Sequence, residues 1–135
     1  MKYYKNIKNK SKSICVWGCG YIGLSSLAYF AKNNVRAIGY DVNKKVVNDL
    51  KKGKIRNDDF KKWLGFSIKK LIKNNLKFTD NLEVIKKENP EIHFVCIPTE
   101  KNGLPLNKIL IQTVKNIMKT SSNGLIIIES TLTPG

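Results

Sequence analysis

Three glycines, Gly18, Gly20 and Gly23, follow an apolar run over 13–17 and open a helical stretch that begins at Tyr21. A second apolar run over 35–40 comes next and ends in Asp41. The order strand, glycine loop, helix, strand, acid constrains the fold more than the glycines alone. Gly18 permits a tight turn out of the first strand. Gly20 leaves room for a pyrophosphate against the backbone, and Gly23 lets the helix lie close to the sheet. The helix then starts with unpaired N–H groups and a positive dipole end, both suited to phosphate.

Asp41 stands near the spacing of roughly 20 residues expected of an acid that bonds the adenosine ribose. A carboxylate there accepts from a 2′-hydroxyl and repels a 2′-phosphate, so the reading is NAD over NADP. Lys44 and Lys45 follow it and carry the charge that could receive a 2′-phosphate. As an alternative, Asp41 is simply a strand-end acid capping the next helix.

Further along the chain the alternation continues. A helix is expected over 21–33, with Leu24, Leu27, Ala28 and Ala31 at helical spacing, and another over 44–52, capped by Asn43 and stopped by Gly53. Residues 54–75 carry an aromatic and aliphatic stripe read as one or two short helices, about 58–64 and 67–74, packing on the sheet rather than holding a ligand. Strands are expected over 76–78, 92–97 and 125–128, and helices over 81–88 and 106–120, the last with Ile109, Leu110, Val114, Ile117 and Met118 inward. His93 falls inside an apolar run and reads as an edge or packed histidine. Five strands alternating with helices imply a doubly wound, Rossmann-like parallel α/β sheet in the order 3-2-1-4-5. Its carboxyl-terminal ends carry the glycine loop, Asp41, Thr79-Asp80, Pro98-Thr99 and Ser130-Thr131.

The 135 residues suffice for one domain with its own core. The net charge is +15, from 25 basic residues of which only Arg36 and Arg56 are arginine. The lysines are spread along the chain and no stretch interleaves aromatics with arginine, which favours a solvated basic surface over a nucleic-acid groove. No run is long and apolar enough to span a membrane. Residues 1–12 are basic without an apolar segment, and are expected as a flexible tail on a cytoplasmic protein. Of the cysteines, Cys15 and Cys96 fall in strand runs as small core residues, and Cys19 occupies a variable position of the glycine loop. No zinc-type spacing is present.

The motifs Gly-Cys-Gly-Tyr-Ile-Gly-Leu at 18–24, Gly-Tyr-Asp at 39–41, Lys-Phe-Thr-Asp at 77–80, Val-Cys-Ile-Pro-Thr at 95–99 and Glu-Ser-Thr-Leu-Thr-Pro-Gly at 129–135 resemble the N-terminal domain of the UDP-glucose/GDP-mannose dehydrogenases. The resemblance spans nearly the whole chain from Ser13. It implies an NAD-dependent oxidation of the C6 alcohol of a nucleotide sugar to a uronate. By matching position it gives cofactor contacts to Gly18, Cys19, Gly20, Tyr21, Ile22 and Gly23 in the loop. It adds Asp41, Thr79, the stretch from Val95 through Pro98 and Thr99, and Ser130 with Thr131. Where the family carries a basic residue five positions after the ribose acid this chain has Val46, and Lys45 beside it is the substitute. The family's Pro-Thr-Pro becomes Pro-Thr-Glu, which sets Glu100 near the expected cleft. The family's nucleophilic cysteine, its assisting lysine and acid, and its sugar-binding domain follow downstream, so 13–135 is expected to be an incomplete NAD-binding domain without a catalytic residue. The nucleotide sugar would be met through the missing part, and the full-length form would be a homodimer. Two other readings remain open: a hydroxyacid-type Rossmann dehydrogenase, and a non-catalytic module that binds NAD or polyanions.

Overall fold

A computed structural model of the chain describes residues 2–55, 60, 62, 64–121 and 123–132. Its main sheet has five parallel strands, β1 (Ile14–Trp17), β2 (Ala37–Tyr40), β3 (Leu76–Thr79), β4 (Ile92–Val95) and β7 (Leu125–Ile128). Their spatial order is β3-β2-β1-β4-β7, the 3-2-1-4-5 order expected from the sequence. Trp17 lies beside Tyr40 on one side and Val95 on the other, so all three strands end at one level. β1 and β2 are buried at every position. Strands covered on both faces cannot alternate, and this is why they read as continuous apolar runs.

Helices α2 (Tyr21–Lys32), α3 (Lys44–Lys51) and α4 (Ile68–Ile72) cover one face. Leu24, Leu27, Ala28 and Ala31 are buried there as their spacing predicts, together with Val47, Leu50, Phe60, Leu64 and Ile68. The aromatic stripe therefore packs, although most of the expected 58–64 helix lies outside the described residues. α5 (Leu82–Glu88) and α6 (Asn107–Thr120) cover the other face through Ile85 and Ile117. Asn43 caps α3 as expected, its side-chain oxygen accepting from the N–H groups of Lys45 and Val46 at 3.0 and 3.3 Å.

Two expectations need correction. The segment over 1–12 is not a plain tail, because Lys2–Lys8 forms helix α1. It buries no residue and so has no apolar stripe to announce it. Polar contacts hold it: Asn6 Nδ2 donates to both carboxylate oxygens of Glu91 at 3.0 Å, and Lys10 Nζ donates to Asn34 and Asn75 at 2.5 and 3.2 Å. In α6, Ile117 is buried, but Met118 is 69% and Ile109 44% exposed, so neither serves the core. Beside the main sheet, β5 (Glu100–Lys101) and β6 (Leu104–Pro105) form a small antiparallel hairpin whose turn is Asn102-Gly103. Glu100 closes it by accepting from the N–H of Gly103 at 2.5 Å.

Candidate functional site

The glycine loop is held where the strands end. Gly18 has φ +97° and its N–H donates to the Tyr40 carbonyl at 2.8 Å. Cβ atoms built at Gly18 and Gly23 would lie 2.3 Å from the Cys96 carbonyl oxygen and 1.9 Å from the Gly18 carbonyl oxygen, so both positions exclude any side chain. At Gly20 a Cβ would meet nothing within 4 Å. The fold does not need a glycine there, and the open side of that backbone faces away from the protein. Gly20 is also the N-cap of α2 and provides no side-chain hydrogen bond. No side chain caps the helix at this end, which leaves its positive dipole end beside the loop.

Asp41 is tied to this loop. Its Oδ2 accepts from the N–H of Cys19 at 2.8 Å and its Oδ1 from the N–H of Asn43 at 2.8 Å. Each carboxylate oxygen keeps capacity for a further donor. The acid is therefore both a strut between the two loops and an oriented acceptor, so the helix-capping alternative holds only in part: the cap of α3 is Asn43.

A cavity of about 490 Å³ opens beside this carboxylate, within the range of small-molecule sites. Trp17, Gly18, Tyr40, Asp41, Ile97 and Pro98 form its sheet side. Lys108, Ile109, Gln112, Thr113 and Asn116 of α6 form the opposite wall. Ile109 is exposed because it faces this space. The helical spacing of the α6 residues was readable in the sequence, but which face met the cleft was not. Cys19, Gly20 and Tyr21 border a second, smaller cavity of about 240 Å³ on the α2–α3 side of the loop.

The remaining expected contacts divide by what they already do. Ile22 is 57% exposed on the first turn of α2, and Lys45 is exposed on α3. Thr79 is buried at the end of β3, where its hydroxyl accepts from the N–H of Asn81 at 3.0 Å. Val95 is fully buried and its carbonyl accepts from the Glu129 N–H at 3.0 Å. Ser130 Oγ donates to the Ile97 carbonyl at 2.7 Å, and Thr99 Oγ1 donates to the Thr131 carbonyl. These hydroxyls clamp the loop after β4 to the loop after β7. Glu100 is not on the cavity wall; its carboxylate accepts from Gly103 within the hairpin that follows Pro98 and Thr99.

The thiols are held protonated. Burial pushes Cys15 and Cys19 well up, and for Cys19 the Asp41 carboxylate adds to it. Burial and the hydrogen bond to Glu129 push Cys96 up to about 12. None is poised as a nucleophile. Among the described residues no cluster of His, Cys, Asp and Glu is arranged to hold a metal ion, and no helix is long and apolar enough to cross a membrane.

Comparison with known proteins agrees with this geometry. The sequence profile described as "UDP-glucose/GDP-mannose dehydrogenase family, NAD binding domain" matches residues 12–135. A UDP-N-acetyl-D-mannosamine dehydrogenase of Methanococcus vannielii is 31% identical over 138 residues, covering 96% of this chain and 31% of that protein. The structure of a UDP-D-ManNAc dehydrogenase from Pyrococcus horikoshii superposes with a TM-score of 0.76 at 30% identity, covering 91% of this chain and 29% of that one. The UDP-N-acetyl-mannosamine dehydrogenase Cap5O of Staphylococcus aureus also gives 0.76, at 23% identity over 91% of this chain and 30% of its own, a likeness of fold. The chain spans about a third of the length of these relatives. With a glycine loop, a strand-end acid and a bordering cleft together at the carboxyl ends of the strands, the chain belongs to the UDP-glucose/GDP-mannose dehydrogenase family and carries its NAD-binding domain.

Proposed function

We propose that this chain is the cofactor-binding part of an NAD-dependent nucleotide-sugar dehydrogenase that oxidises the C6 alcohol of a UDP- or GDP-sugar to a uronate. The observation that carries the reading is Asp41, fixed by two backbone N–H groups at the mouth of the 490 Å³ cleft. In this reading the adenosine ribose hydroxyls donate to Asp41, and the pyrophosphate lies over Gly18, Cys19 and Gly20 against the first turn of α2, where Tyr21, Ile22 and Gly23 follow. Lys45 supplies positive charge on α3. Thr79, Val95, Pro98, Thr99, Ser130 and Thr131 shape the strand ends along which the rest of the dinucleotide runs. NAD, when bound, accepts hydride from the sugar alcohol. No residue of this chain is assigned that chemistry; the sugar and the catalytic groups would be met by further parts of the enzyme.

We further place the working enzyme in the cytoplasm as a homodimer. The three reduced cysteines support the compartment.

Isothermal titration with NAD tests the reading. Asp41→Ala is expected to weaken binding by about tenfold or more, as loss of charge-assisted hydrogen bonds does. Asp41→Asn removes the charge and one of the two acceptors that tie the loops, and should also bind NAD more weakly than wild type. NAD affinity unchanged in both variants would sink the assignment of Asp41 to the ribose.

A further inference from the structure

The core under the cleft contains one polar pair that the family reading does not use. Trp17 and His93 are 1% and 0% exposed in the layer between the sheet and helices α5 and α6. The indole Nε1–H donates to His93 Nδ1 at 3.1 Å, with ring centroids 6.1 Å apart. Because Nδ1 accepts, the neutral imidazole carries its hydrogen on Nε2. That nitrogen makes no hydrogen bond, and Gly124 packs so close that a Cβ there would lie 2.7 Å from it. An apolar pair could fill this volume without leaving a buried N–H unsatisfied, so core packing alone gives no reason for the arrangement.

The reason lies on the other side of the indole. Trp17 packs tilted against Tyr40 with centroids 4.7 Å apart at 49°; the indole itself is buried, and Tyr40, 8% exposed, borders the 490 Å³ cleft beside Asp41. A nucleoside whose ribose donates to Asp41 places its base in the apolar part of that cleft, against Tyr40. We propose that His93 is a positioning residue for the cofactor: its Nδ1 fixes the rotation of the buried Trp17 indole, and the indole in turn seats the Tyr40 ring that borders the adenine site. This rests on the NAD reading above. His93 itself does not line the cleft.

The test is NAD titration of the whole chain in a double-mutant cycle, with far-UV circular dichroism confirming the fold of each variant. His93→Leu removes the acceptor and is expected to weaken NAD binding by about fivefold. Asn and Gln carry the same amide at different reach. His93→Asn puts its carbonyl near the place of Nδ1 and should stay within about twofold of wild type, whereas His93→Gln reaches past it and should behave like the leucine variant. This contrast carries the test even if His93→Leu does not fold. In a Trp17→Phe background, which has no indole N–H, the His93 substitutions should have no further effect on affinity. Equal losses in both backgrounds, or His93→Gln binding as wild type does, would overturn the inference while leaving the NAD reading intact. Failure of the wild-type chain to bind NAD would overturn both.

Discussion

Gly23→Ala is expected to lose most of the stability of the fold, whereas Gly20→Ala, three residues away in the same motif, should keep it. The new methyl at Gly23 would lie 1.9 Å from the Gly18 carbonyl oxygen and 3.2 Å from Cys96 Cβ. Neither neighbour can yield easily. Gly18 is anchored to Tyr40 by a 2.8 Å hydrogen bond and has Cys96 packed behind it. Alanine in a helix gains up to about 1 kcal/mol over glycine in propensity. A backbone clash of this depth outweighs that, since overpacking by ordinary contacts already costs about 1–3 kcal/mol. A net loss of about 3 kcal/mol or more is expected, a large share of the 5–15 kcal/mol that small domains possess. At Gly20 the methyl meets open space and φ is −71°. The only expected penalty is a poorer N-cap, under about 1 kcal/mol. Its effect should appear instead as weaker NAD binding, because the methyl occupies the side from which a pyrophosphate approaches. Urea unfolding and NAD titration of both variants give the comparison. A Gly23→Ala midpoint equal to wild type would refute the packing argument; a Gly20→Ala chain with wild-type affinity would refute the approach of phosphate at that backbone.

That contrast also shows which parts of the site are legible in a sequence. Glycines and a strand-end acid are local signals, because backbone geometry and a single carboxylate dictate them. The strand order was legible for a related reason: parallel strands buried on both faces leave uninterrupted apolar runs, and the crossover rules admit few arrangements of five. The polar contacts that hold α1 were not legible. Asn6 meets Glu91, and Lys10 meets Asn75, only after the sheet has brought distant segments together. The orientation of α6 was missed because Ile109, Leu110, Ile111, Val114, Ile117 and Met118 cover more than one side of the helix, so periodicity does not choose the buried face. Packing chooses Ile117, sends Met118 to the surface, and turns Ile109 into the cleft. The Trp17–His93 pair was hidden in the same way. Each residue sits in an apolar strand run, and only the β1–β4 register shows that they meet.

Acid should destabilise this protein well above the range where its carboxylates titrate, and His93 is the cause. It is the single histidine of the chain. Burial lowers its pKa from 6.5 to about 4, against a smaller opposing pull from the Pro90 carbonyl. The folded state therefore binds the proton less readily than the unfolded state does. Its contribution is full above pH 6.5 and is lost as pH falls from there towards 4, by up to about 3 kcal/mol in total. Protonation also turns Nδ1 from an acceptor into a donor facing the Trp17 N–H, so the loss and the broken hydrogen bond coincide. Glu88 acts in a separate window. Its hydrogen bond to Lys77 is the main cause that lowers its pKa from 4.5, so its stabilisation disappears only below that value. Between pH 7 and pH 5 the histidine dominates, and urea unfolding should show a fall of about 2 kcal/mol over that interval. His93→Asn cannot protonate and should flatten the slope there while retaining its acidic limb below pH 4.5. A wild-type unfolding free energy that is level from pH 7 to pH 5 would mean that the imidazole takes up its proton in place, and a slope that survives in His93→Asn would mean that another group carries it; either result would refute the assignment to His93.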